Sequence, residues 1–407
     1  MASIKKAVRN WIYRTLNKEE SPIRQHFALI EEQNRALQAD LSRLSNQLSP
    51  LGLLPLINEE LVNPVSVLHK NDFSLLICNE YLHQYHNKQK TKDYTDHFVS
   101  YCYEAPAGYA NLGDYIQTLA TELAIKQCVE KDSTPVKFEQ VFRSHLTNHQ
   151  GGTCIMQAWY EHKSLTFLPG PDTRPIWIGT HFNADARNLL NILYNNSEYR
   201  LSDVGCRDKS TLAFCQSMGM SSYFSRCLTL TLPKRSSEDT NGAKYTYVVD
   251  CSEEIISLLP VSLKKKCRVV SQRGFRFQPW QSCETCRTAA ENLLEEYKKN
   301  AKLVITTALH CAQPCLALGI PVVFVYPVYN YKEEERFSSM DGILPQYTLQ
   351  DLKDGTVVYP EKAPDIEELK KAILRNLRLS LKTELSKEEL EERNNVRKFV
   401  EEYNIIN

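Results

Sequence analysis

From about residue 96 onward the chain alternates short β-rich apolar runs with stretches of helical period, and this alternation limits the fold more than any other feature. Phe98–Tyr103, Thr153–Ala158, Ile176–His181 and Val204–Arg207 read as strands, and Tyr223–Leu232 as a further extended stretch. Between them Asn111–Cys128 reads as a loop and helix, with Ala184–Tyr194 and Lys209–Met218 as helices. After the polar stretch Arg235–Ala243, read as a linker, the pattern restarts. Tyr245–Val249, Arg268–Ser271, Leu303–Thr306 and Val322–Tyr326 are strands, separated by helices Cys283–Asn300 and Leu309–Leu318. Strands alternating with helices build mainly parallel sheets covered by helices, the α/β class. Two such series in tandem leave a cleft beyond the carboxyl ends of their strands, where ligands bind.

A chain of 407 residues with 42% hydrophobic content has the material for a sizeable core. Lys plus Arg and Asp plus Glu are 49 each, so the basic excess of a nucleic-acid binder is missing. The 13 cysteines are scattered, and Cys102, Cys154, Cys311 and Cys315 sit in apolar runs, as small core residues of a reducing compartment do. Cys283 and Cys286 form a Cys-x-x-Cys without a second pair or histidines at ligand spacing, so no metal and no cofactor is expected. No apolar run reaches the roughly 18 residues of a spanning helix. The first residues lack a signal peptide's apolar region, which points to the cytoplasm.

The ends have their own patterns. Residues 4–18 form a basic amphipathic helix with Trp11, suited to an anionic membrane surface or to docking on the protein itself. Over residues 23–48, Ile23, Ile30, Leu37 and Leu44 take d positions, while Phe27, Asn34, Leu41 and Leu48 take a positions. A lone Asn at a position a is a feature of parallel two-stranded coiled coils, so the segment suits a homodimer or packing on the globular part. Residues 1–50 are thus an amphipathic helix and short coiled coil, and 51–92 a helical connector. Two α/β domains follow, at 93–240 and 241–362, with 363–407 as charged helices packing back through Ile366, Leu369, Ile373, Leu377, Leu381, Leu385, Leu390 and Phe399.

Three loops carry candidate chemistry. Asn111-Leu112-Gly113-Asp114-Tyr115-Ile116-Gln117 opens a helix, where backbone donors meet an anion or sugar hydroxyls. Asp114 there is either a ligand of a hydroxyl or the plain N-cap. Gly205-Cys206-Arg207-Asp208-Lys209-Ser210-Thr211 also joins a strand to a helix, and the planar fork of Arg207 suits phosphate or carboxylate. His181 ends the preceding strand as a cleft residue or a satisfied core histidine. In Thr306-Thr307-Ala308-Leu309-His310, His310 stands at a helix start, placed for proton transfer or for an anionic donor. No Gly-x-x-x-x-Gly-Lys-Ser/Thr, Gly-x-Gly-x-x-Gly, His-Glu-x-x-His or Gly-x-Ser-x-Gly motif is present, which removes the common nucleotide, zinc-protease and serine-hydrolase signatures.

These loops in this order, with Tyr223–Leu232 and Pro314–Val322, give a sequence that resembles the polysaccharide pyruvyl transferase family over about residues 96 to 345. The resemblance implies two Rossmann-like domains arranged as in glycosyltransferase-B enzymes, an acceptor domain at 93–240 and a donor domain at 241–362. It implies transfer of a pyruvyl group from phosphoenolpyruvate to a sugar of a surface or cell-wall polysaccharide; the basic helix at 4–18 leaves the location as the cytoplasm or the cytoplasmic face of a membrane. On that basis His310 and Asp114 are the catalytic residues expected. Arg207, His310, Thr307 and Leu309 would hold the donor, and Asn111, Gln117 and His181 the acceptor. Two departures stand out. The family's Arg-Leu-His is Ala308-Leu309-His310 here, which removes one guanidinium, with Arg273, Arg276 or Arg336 as replacements. Gln157-Ala158-Trp159-Tyr160 replaces Asn/Asp-Gly-Trp-Phe. A glycosyltransferase using a nucleotide sugar, or a coiled-coil scaffold without catalysis, are the rival expectations.

Overall fold

The computed structural model describes residues 97–406, apart from segments 104–108, 130–134, 161–166, 171, 198, 274, 277–282 and 328–330. The expected membrane helix at 4–18, the coiled coil at 23–48 and the connector at 51–92 lie outside the described residues. The architecture is mixed α/β, built on two parallel sheets.

The first sheet contains β1 (Phe98–Cys102), β2 (Phe138–Phe142), β3 (Thr153–Ile155) and β4 (Arg174–Ile176), in the order β2-β1-β3-β4 with every pair parallel. The second contains β5 (Tyr245–Val249), β6 (Cys267–Val270), β7 (Ala301–Thr306), β8 (Val322–Val325) and β9 (Gln346–Tyr347), in the order β6-β5-β7-β8-β9, again parallel throughout. In both sheets the second strand lies on one side of the first and the third on the other, so strand order reverses between first and third strands. Ligand crevices form at such reversals, outside the strands' carboxyl ends. Strands β7 and β8 are buried almost throughout, as strands covered on both faces are.

Helix α1 (Leu112–Val129) follows β1, and α2 (Ala184–Asn195) is capped by the Asn183 side chain. Helix α3 (Lys209–Ser217) starts at Asp208, whose carboxylate accepts from Thr211 N. Helix α4 (Cys283–Asn300) leads into β7, and α5 (Leu309–Ala317) connects β7 to β8. Gly319 takes φ +76° after α5, the left-handed conformation in which helices commonly stop, and Pro321 precedes β8. The Arg235–Ala243 stretch differs from a plain linker. Ser236 caps a short helix, Ser237–Gly242, because its hydroxyl satisfies Asp239 N. The extended reading of Tyr223–Leu232 also shortens, to a strand Ser222–Phe224 and a 3₁₀ turn Leu228–Thr231.

The carboxy-terminal helices are α6 (Glu367–Leu381) and α7 (Lys387–Glu402), and Ile366, Leu369, Ile373 and Leu377 are buried in the core. Leu390 and Phe399 do not join that packing and are exposed. Polar clamps fix the tail instead. Buried Arg226 donates to the Val400, Tyr403, Ser339 and Asp341 carbonyls, and Arg397 pairs with Asp203 at 2.5 Å. The described cysteines carry free thiols. No helix among the described residues is long and apolar enough to cross a membrane.

Candidate active site

A cavity of about 280 Å³ opens where the two strand-order reversals face each other. Its first wall is the start of α1, with Asn111, Gly113 and Asp114, together with Trp159 from the segment after β3. Its second wall is Ala308, Leu309 and His310 at the start of α5. Arg207, Gln272, Arg273 and Arg336 complete it.

Local chemistry places each group. Asn111 Oδ1 accepts from Gly113 N at 3.1 Å, so Asn111 closes the first turn and Asp114 is released from the capping role considered for it. Gln117 Nε2 donates to Asp114 Oδ1 at 3.2 Å and orients that carboxyl. The two walls meet closely: a Cβ on Gly113 would stand 3.1 Å from His310 Cβ, tighter than ordinary contact. Leu112 N donates to the Gln272 carbonyl at 2.8 Å, tying α1 to the segment after β6 and bringing Arg273 to the rim. Lys209 N donates to Ser338 Oγ at 2.8 Å, which ties α3 to the segment bearing Arg336. Ala308 caps α5 without a side-chain bond, and His310 has φ −83° and ψ 16°, a kink in the first turn.

Arg207 Nη1 lies 3.4 Å from His310 Nε2, and Arg207 Nε lies 3.6 Å from Asp208 Oδ2. Burial, with the charges of Arg207, Arg336 and Arg273, holds the His310 imidazole well below its usual range, so it is neutral near pH 7. Burial raises Asp114 above the ordinary carboxylate value, although Arg143, Arg207 and Arg273 pull the other way. Burial also acts to raise Asp208, but His181 and Arg207 outweigh it, and the carboxylate is held low. Three guanidiniums, a neutral imidazole and a raised carboxyl around one cavity suit an anion with a proton-transfer centre beside it.

Of the expected residues, Asn111, Asp114, Arg207, Leu309 and His310 line the cavity. Gln117, His181 and Thr307 do not. His181 is buried, with Nδ1 2.6 Å from Asp208 Oδ2 and 3.1 Å from Thr211 Oγ1. Burial pushes it down to about 4 against the pull of Asp208. It therefore stands behind Arg207 as a support for Asp208 and not as an acceptor contact. Thr307 Oγ1 donates to the Asp250 carbonyl at 2.7 Å, which holds the β7–α5 turn. Gln157 is likewise structural, with Oε1 on Leu228 N at 2.6 Å and Nε2 on Thr121 Oγ1 at 3.0 Å. Arg273 and Arg336 stand where replacements for the missing guanidinium were sought; the Arg276 side chain lies outside the described residues. Trp159 and Gln272 were not singled out from sequence. Trp159 Nε1 is buried without a hydrogen-bond partner among the described residues, and no spacing rule flags such a donor.

The profile of the polysaccharide pyruvyl transferase family matches residues 79–327, more than half of the chain and every wall of this cavity except Arg336. The chain belongs to the polysaccharide pyruvyl transferase family. As a member it is a transferase, and pyruvyl transfer is its general role. No curated protein matches. Among solved structures, a functionally uncharacterized protein from Klebsiella pneumoniae subsp. pneumoniae NTUH-K2044 is similar at 15% identity and a TM-score of 0.33. That match covers 66% of this chain and 92% of the other. A likeness that loose carries nothing about the site.

Proposed function

We propose that this family member transfers the pyruvyl group of phosphoenolpyruvate to two hydroxyls of one sugar in a surface or cell-wall polysaccharide, forming a cyclic ketal. The observation that carries this reading is the cavity in which Arg207, Arg273 and Arg336 surround neutral His310, with Asp114 on the opposite wall. Two Rossmann-like lobes in a glycosyltransferase-B-like arrangement divide the work, with acceptor groups from 93–240 and donor groups from 241–362. The protein works at the cytoplasmic face of a membrane.

The donor carries a carboxylate and a phosphate, and three guanidiniums match both anions. The raised Asp114 carboxyl gives a proton to the methylene carbon of the donor, which becomes the ketal methyl group. A sugar hydroxyl attacks the neighbouring carbon and yields its proton to His310, whose neutral ring can accept it. The carbon–oxygen bond to phosphate then breaks, the electron pair leaving with phosphate, and the second hydroxyl closes the ketal. The two hydroxyl protons balance the one gained by carbon and the one taken by inorganic phosphate. Arg207 stabilises charge on the leaving group at no cost in reorganisation, because Asp208 and His181 hold it in place beforehand. Trp159 lines the same cavity, where an indole suits stacking on the acceptor sugar. A nucleotide-sugar donor remains the rival, but the family match lends it no support.

The test is the full chain incubated with phosphoenolpyruvate and an oligosaccharide or lipid-linked glycan pool. The expected result is phosphate release matched by a product heavier than acceptor by one pyruvate less one water. Phosphate-free transfer from a nucleotide sugar, with phosphoenolpyruvate inert, would overturn the reading.

A further inference from the structure

The first sheet carries a second constellation at the end away from the cavity. His97 immediately precedes β1, Glu139 is the second residue of β2, and His149 lies in the turn before β3. Parallel register sets Phe98 beside both Phe138 and Thr153, so the three residues gather at the amino-terminal edge of the sheet. His97 Nε2 lies 3.0 Å from Glu139 Oε2, and His149 Nδ1 lies 3.7 Å from Glu139 Oε1. One ligand atom from each of the three falls within 4.8 Å of the others.

Ligand atoms about 2.0–2.2 Å from a tetrahedral zinc ion stand about 3.3–3.6 Å from one another, a range that the two imidazole–carboxylate separations of 3.0 and 3.7 Å bracket. His97 Nε2 is buried and has no hydrogen-bond partner among the described residues, although the carboxylate oxygen is within reach. The His149 side chain is 8% exposed and brings Nδ1 to the same carboxylate. The backbone braces the pair. Gly152, at φ +73°, lies so close that a Cβ would stand 2.7 Å from His97 Nε2. Thr173 Oγ1 donates to the Gly151 carbonyl at 3.2 Å and fixes the same turn.

We propose that His97, Glu139 and His149 form a structural zinc site, with the remaining position open to water. Two imidazoles and one carboxylate are donors for a borderline transition ion, while magnesium and calcium prefer an all-oxygen shell. The ion supplies what β2 lacks. That strand is at the sheet edge and no residue of it is fully buried, so apolar packing holds it weakly. A metal bound to β2, to the residue before β1 and to the turn before β3 pins that edge. It stands apart from the transfer chemistry.

The experiment titrates zinc, and in parallel cobalt, into the full chain after chelator treatment, following stoichiometry, Tm and the cobalt spectrum. The expected result is one equivalent bound, a higher Tm with zinc, and a cobalt spectrum without a sulfur charge-transfer band. Glu139→Gln, at an exposed position that tolerates change, and His149→Asn each weaken binding about tenfold or more. No stoichiometric binding overturns the site. So does a sulfur-to-cobalt band, which would place the metal on thiols, and so does unchanged affinity in Glu139→Gln.

Discussion

Arg207 Nη1 and His310 Nε2 stand 3.4 Å apart, on segments 103 positions apart in sequence, and the Arg207 charge helps to keep the imidazole neutral. Burial first, then the Arg207 charge, keeps His310 neutral. Replacing Arg207 by Gln removes that charge, so the His310 pKa rises. The acid limb of the pH–rate profile should move upward, and KM for the anionic donor should increase about tenfold or more. His310→Ala should lower kcat by about 10²–10⁴ while KM changes little. The two variants are distinguished by pH profiles with phosphoenolpyruvate; a profile for Arg207→Gln that superimposes on the wild type would contradict the coupling.

Gly113 and His310 face each other at close range across the two walls. Gly113→Ala places a methyl group 3.1 Å from His310 Cβ and from Asn111 Oδ1, where neighbours must yield a few tenths of an ångström. The φ of Gly113 is not positive, so the backbone itself is unstrained by alanine. The expected outcome is a loss in kcat of about ten- to a hundredfold with Tm close to wild type. A large fall in Tm with normal turnover per folded molecule would show that Gly113 serves packing and not alignment.

What the sequence revealed of this site follows from locality. Asn111, Asp114, Arg207 and His310 all lie in strand-to-helix loops, and parallel α/β order sends such loops to one end of the sheet. Arg273 and Arg336 were named only as substitutes for the missing arginine. Their positions depend on long-range hydrogen bonds from backbone N–H groups, Leu112 N to the Gln272 carbonyl and Lys209 N to the Ser338 hydroxyl, which leave no local pattern. His181 looked like a cleft residue because it follows a glycine at a strand end; the buried Asp208 carboxylate turns it inward. Strand β2 went unread because an edge strand with mostly exposed side chains lacks the apolar run that marks buried strands. Leu390 and Phe399 kept the helical period but face solvent, since α7 is fastened by Arg397 and Arg226 contacts instead.

Ala308 leaves the donor clamp one guanidinium short of the family pattern, and Arg273 and Arg336 line the same cavity. Both should bind the donor's charges. Arg273→Ala and Arg336→Ala are each expected to raise KM for phosphoenolpyruvate about tenfold with smaller effects on kcat. The double variant should lose the Tm increase that the donor gives the wild type. Equal KM values in both single variants and the parent would assign the clamp to Arg207 alone.

The pair His181–Asp208 makes stability depend on pH in a definite direction. An unfolded histidine titrates near about 6.5, while burial holds folded His181 down to about 4. Between those values the unfolded chain binds a proton that the folded chain refuses, so stability falls as pH is lowered through that window. At about 1.4 kcal/mol per pH unit, His181 alone contributes on the order of 3 kcal/mol of loss. Buried His310 adds in the same direction. Asp208, held below the ordinary carboxylate value, loses its contribution only at still lower pH. Urea unfolding from about pH 7 to pH 4.5 should therefore show a steadily falling midpoint. His181→Gln should lower stability at neutral pH, because Asp208 loses a buried donor, and should flatten the slope at acid pH. A midpoint independent of pH in the parent protein would mean that folded His181 takes up its proton as readily as the unfolded chain does, against the burial argued here.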